Sequence, residues 1–142
     1  MSQLNLSISK RIIMVLIIVM VIGTQSVMLC WSFYPYKPLV VTDLEIISPI
    51  IPGQPFEYRI TGEKLMDMPA VVSRQFINHI VITLPPLISN VEVGTKSVVS
   101  SFILPQLPTG TYYYKMSWSY MMNPLRTITI TKKTGPFHIG PT

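Results

Sequence analysis

Charge, cysteine and histidine are all scarce in this chain of 142 residues. Only 12% of residues are charged, about half the usual quarter of a soluble domain, which excludes a disordered polyelectrolyte, a charged coiled coil and a histone-like basic protein. A single cysteine, Cys30, cannot close a disulfide within the chain, so the fold must rest on packing and hydrogen bonds. Two histidines, His79 and His138, have no second histidine, cysteine or carboxylate at ligand spacing, and no metal or cofactor is expected. The six acids (Asp43, Glu45, Glu57, Glu63, Asp67 and Glu92) fall in separate segments, with no pair set by spacing for acid–base work. Loops of the GxGxxG or GxxxxGK kind and a GxSxG elbow are also missing, so neither phosphate cradling nor a serine nucleophile is supported. The chain is read as a non-enzyme; catalysis would require Glu57, Asp67, His79 or His138 to converge.

What the chain has in excess is apolar residues, 49% of the total, and 13 prolines. The charge is unevenly placed. Lys10 and Arg11 are the only charges among the first 36 residues, and an uncharged stretch from Ile12 to Tyr36 begins IIMVLIIVMVIG. At 1.5 Å per residue about 20 residues cross a hydrocarbon core, so Ile12 to Trp31 is long enough, and Thr24 and Ser26 can bond their own helix carbonyls. Trp31, Phe33, Tyr34 and Tyr36 then resemble the aromatic belt of a membrane boundary, and Lys10 and Arg11 assign the N-terminal tail to the cytoplasm. The expected organisation is a tail over 1–11, a transmembrane helix over 12–33, a proline-punctuated stalk over 34–39 and an exported domain over 40–142. A cleaved secretory signal ending near Ser26 fits the same basic and apolar regions and exports the same domain.

Beyond Leu39 the period changes to two. Phe56, Tyr58 and Ile60 alternate with Glu57, Arg59 and Thr61, and Tyr112, Tyr114, Met116, Trp118 and Tyr120 share one face of a longer run. Further strands are expected over Val40–Ile47, Ile77–Leu84, Lys96–Leu104 and Arg126–Lys132, with breaks at Pro49, Pro52-Gly53, Pro69, Pro85-Pro86, Pro105 and Pro108-Thr109-Gly110. Five to seven short strands in about 100 residues predict a mainly β fold, an immunoglobulin-like antiparallel sandwich.

Two polar places could carry a structural or binding role. Arg74 lies in AVVSRQFIN among apolar neighbours, where a guanidinium ordinarily pins a loop through backbone carbonyls. Tyr120, Asn123 and Arg126 surround the turn of the last hairpin, in which Asn123 can adopt a left-handed backbone and Pro124 fixes the next φ. The exported part holds nine basic and six acidic residues, a surplus too small and dispersed for a nucleic-acid groove. The expected partners are therefore membrane lipid, met by the N-terminal helix, and a protein of unspecified kind; the oligomeric state stays open.

The order CWSFYPYKPL, PAVVSRQFIN, LPTGTYYYKMSWSYMMNPLRTITI and TGPFHI resembles a group of small membrane-anchored β-sandwich proteins of tailed bacteriophages, most specifically in the LPxGxYxY strand and the NPLR turn. The resemblance implies a viral origin and a shared fold, without implying an activity; the host inner membrane is the expected place of the anchor. Members tend to carry one cysteine before the lysine matching Lys64 and another after the glycine matching Gly94. Here those positions are Glu63 and Thr95, so the disulfide implied for the group is replaced by other contacts. The expected role is a tethered binding module; a virion structural or accessory component is the alternative.

Overall fold

The computed structural model describes residues 2–140, with side chains from residue 9 onward. The chain separates into two compact units, residues 1–35 and 36–142. The first is a single helix, α1 (Ser2–Phe33). Its segment Ser9–Phe33 is long and apolar enough to cross a membrane, and none of it is buried within the protein. Two hydroxyls in that segment satisfy themselves: Thr24 Oγ1 donates to the Met20 and Val21 carbonyls at 3.0 and 2.9 Å, and Ser26 Oγ to that of Ile22 at 2.9 Å. This removes most of the penalty of placing hydroxyls in hydrocarbon.

The second unit is mainly β, with eight strands: β1 (Leu39–Ile46), β2 (Pro55–Lys64), β3 (Ala70–Ile77), β4 (Val81–Ser89), β5 (Ser97–Ile103), β6 (Gly110–Asn123), β7 (Arg126–Lys133) and β8 (Phe137–Ile139). One antiparallel sheet has the order β1-β2-β5. The other has the order β4-β3-β6-β7, with β8 also pairing β6. Two sheets with their inner faces together make the expected sandwich, and this strand order is compatible with an immunoglobulin-like arrangement.

Alternation decides which residues meet between the sheets. Phe56 and Tyr58 of β2, Phe76 of β3, and Tyr112, Tyr114, Met116, Trp118 and Tyr120 of β6 are all buried, so the stripe read from the sequence is the core. Tyr114 packs closely among them, with ring centroids of Phe56 and Phe76 at 5.1 Å and of Tyr58 at 5.3 Å. Edge and tilted contacts of this kind add roughly 0.5–1.5 kcal/mol per pair beyond area burial.

Three features differ from the sequence expectations. The strand expected over Ile77–Leu84 is the hairpin of β3 and β4, turning at residues 78–80 where the Asn78 amide donates to the Ile80 carbonyl. Residues 70–76, outside the strands expected from the sequence, form most of β3, and Pro85-Pro86 lies inside β4. Two prolines fit there because β4 is an edge strand with an irregular register between Val72 and Arg74. After β7 the chain brings β8 beside β6. There Thr134 Oγ1 accepts from the Tyr114 amide at 3.1 Å while the Thr134 amide donates to the Tyr114 carbonyl at 2.9 Å, which keeps the ladder bonded as the chain leaves β7.

Tyr36 begins the second unit, and Pro38 is fully buried, its carbonyl accepting from the Leu65 and Met66 amides at 3.0 and 3.3 Å. The end of the segment read as a stalk is thus stitched into the body.

Candidate functional site

A sandwich of two open sheets has two seams where its edges meet. At the β1–β7 seam, Lys132 Nζ donates to the Thr42 carbonyl at 2.6 Å, at the bulge between Val41 and Asp43, and ties the sheets together. At the β5–β4 seam the tie is Arg74. It lies on the inner face of β3, opposite Met116 on β6, with its guanidinium carbon 5.1 Å from the Phe102 ring centroid on β5 and Nη2 donating to the Pro85 carbonyl at 3.1 Å on β4. One side chain therefore touches both edge strands, through one carbonyl and one ring. Its Nε is buried without a hydrogen bond among the described residues.

Beyond Arg74, toward the end of the body formed by the C-terminal part of β2, the β5–β4 seam opens into a cleft of about 120 Å³. Its walls are mostly apolar or aromatic: Tyr58 and Ile60 from β2, Val72 from β3, Leu87 from β4, and Met116, Trp118 and Tyr120 from β6. Alternation on β2 then places Lys64 on this inner face, where it is only 3% exposed. Its Nζ donates to the Val91 carbonyl, its single hydrogen bond among the described residues, although an ammonium has three protons to donate. Lys96 also lines the cleft, and no carboxylate among the described residues does. A cation in an apolar cleft without a counter-charge is the strongest chemical asymmetry of the body.

The four residues singled out from the sequence occupy three places. Tyr120 lines the cleft and is buried, which raises its phenol pKa above the ordinary value. Asn123 and Arg126 face each other at the β6–β7 turn. Asn123 holds that turn with its side chain, Oδ1 accepting from the Leu125 amide at 2.9 Å, rather than with a left-handed backbone, since no described non-glycine residue has positive φ. The Arg126 guanidinium lies 5.9 Å from the Tyr36 ring centroid. Arg74 is not part of this group: its partner on β6 is four residues from Tyr120, a separation of about 13 Å along the strand.

Glu57, Asp67, His79 and His138 are all exposed and lie respectively on β2, after β2, in the β3–β4 turn and on β8. Among the described residues no group of three or more histidine, cysteine, aspartate or glutamate side chains could hold a metal.

Tyr112 explains the most specific motif. Its hydroxyl donates to the Pro108 carbonyl at 2.9 Å, so the LPxGxY segment is a tyrosine corner, which closes the turn into β6 in Greek-key sandwiches. Gly110 in the same motif cannot carry a side chain without moving a neighbour, because a Cβ there would lie 2.7 Å from Asn78 Nδ2. The cleft and Lys64 left no comparable mark in the sequence, since burial of a lysine in GEKL depends on pairing between segments more than 30 residues apart. Comparison with protein-family models and with curated proteins gives no match to this chain.

Proposed function

We propose that this chain is a single-pass membrane protein, N-terminus in the cytoplasm, that holds a non-catalytic β-sandwich outside it for binding another protein or a surface component. The observation that carries the reading is α1: from Ile12 to Ile22 every side chain is a large hydrophobe at least 49% exposed, an arrangement that water disfavours and a bilayer solvates. Lys10 and Arg11 precede this segment and supply the orientation. Sandwiches recognise partners through edge strands and end loops, and a tether raises their concentration against targets near the membrane. The scattered acids and histidines support binding over catalysis. The likeness of the LPxGxYxY and NPLR segments to proteins of tailed bacteriophages supports a phage origin and the host inner membrane as the location.

Membrane fractionation of a C-terminally tagged chain tests the anchor. The expected product is an uncleaved band at the 16.1 kDa of the chain plus its tag, retained after carbonate extraction. A shortened, soluble product would establish the secreted alternative, and recovery in purified particles would establish the virion alternative.

A further inference from the structure

An edge strand carries unpaired backbone donors and acceptors, and natural sheets usually blunt it with proline, charge or a bulge. Of the four edges here, β4 carries Pro85 and Pro86, β1 carries a bulge with Asp43 and Glu45, and β7 ends in Lys132 and Lys133. The β5 edge has no such guard. Its sequence SVVSSFI holds no charge, proline or glycine, and Val99 and Ile103 are 55% and 63% exposed. The same strand forms one lip of the cleft, through Ser97, Val98 and Ser100.

Edge and cleft have complementary requirements. A strand laid antiparallel or parallel against β5 would alternate its side chains, one set turned toward the opposite sheet and hence toward the cleft. Apolar protein cavities of about 150 Å³ accept benzene, so the smaller 120 Å³ admits one aliphatic side chain of valine or leucine size against Trp118 and Leu87. The buried Lys64 and the rim Lys96, without a lining carboxylate, call for an anion. We propose that β5 and the cleft form a binding site for an extended acidic peptide: its backbone pairs along Ser97–Ile103, one apolar side chain enters the cavity, and a carboxylate meets the Lys64 ammonium. This rests on the reading of the body as a binding module and names the partner class.

The test uses the full chain, isotope-labelled in detergent micelles, and N-acetylated, C-amidated peptides that alternate serine with leucine and have glutamate or glutamine as the last residue. The expected result is saturable binding of the glutamate peptide, at least tenfold slower amide exchange within Ser97–Ile103, and at least tenfold weaker binding of the glutamine peptide. In Lys64→Met the two peptides should bind alike. Because the peptide comparison is made on the unaltered chain, it stands even if the variant misfolds. Equal affinities for the two peptides on the unaltered chain, protection at Arg126–Lys133 instead, no binding, or 3-phenylpropionate binding as tightly as the peptide without β5 protection would each overturn the proposal. Any of these could occur in a chain that still resists carbonate extraction, so failure here is distinct from failure of the membrane reading.

Discussion

The Tyr112 hydroxyl reaches back four residues to donate to the Pro108 carbonyl at 2.9 Å, with the Tyr112 ring itself only 1% exposed. This bond fixes the path by which the chain leaves the buried Leu104 and Leu107 and enters the longest strand. Tyr112→Phe keeps the ring and deletes the bond. A loss of about 1 kcal/mol in unfolding free energy is expected from denaturant titration, the usual net worth of such a bond. An unchanged midpoint would mean that the corner does not hold the turn.

Gly62 faces the bulge of β1. A Cβ at this position would lie 2.1 Å from the Val40 carbonyl oxygen and 3.0 Å from Val41 Cα, both backbone atoms that cannot rotate away. Gly62→Ala must push β1 from β2, and a destabilisation of roughly 2 kcal/mol or more is expected. A thermal midpoint equal to that of the parent would contradict the close approach.

Glu63 and Thr95 sit between two backbone bonds that join β2 to the segment before β5, Gly62 N to Lys96 O and Gly94 N to Lys64 O, each 2.9 Å. The Lys64 amide also donates to the Thr95 carbonyl at 3.4 Å, so the two positions lie next to each other in an irregular extension of the β2–β5 ladder. The double variant Glu63→Cys/Thr95→Cys should close a disulfide on oxidation, made in a Cys30→Ser background, and raise stability by about 2–4 kcal/mol over its reduced form. Thiol titration that finds both cysteines free after oxidation would refute the register here.

Burial holds the Tyr114 phenol far above its ordinary pKa, with Tyr58 adding to the effect and Arg74 opposing it, and burial acts likewise on Tyr120. The folded protein thus keeps protons that the unfolded chain releases above about pH 10, so these groups do not alter stability below that pH and reduce it as the pH climbs further. Tyrosinate absorbance should show Tyr114 ionising only as the body unfolds. Tyr114→Phe, which also removes a buried hydroxyl without a hydrogen bond among the described residues, should flatten the alkaline decline. A full tyrosinate signal from folded protein would contradict this.

What could be read from the residues was what short-range physics controls. Alternation from Tyr112 to Tyr120 marks a buried face whatever the sheet order, and Arg74 among apolar neighbours has few options besides carbonyls and a ring. Asn123 ahead of Pro124 marks a turn, although the side chain and not the backbone conformation makes it. The β3–β4 hairpin was obscured because Ile80, Val81 and Ile82 continue an apolar run through the turn, and because prolines at 85 and 86 read as a break until β4 is known to be an edge. The cleft was wholly illegible: Lys64 is buried by the meeting of β2, β5 and β6, which no local pattern encodes.

The membrane anchor and the exported body stand or fall on topology, measured most directly by cysteine labelling in spheroplasts. In a Cys30→Ser background, Thr129→Cys on the outer face of the body and Ser2→Cys in the tail are each exposed to a membrane-impermeant maleimide before and after permeabilisation. The account predicts that Thr129→Cys is labelled in intact spheroplasts and Ser2→Cys only after permeabilisation. The opposite pattern, with the body protected until the membrane is opened, would contradict it.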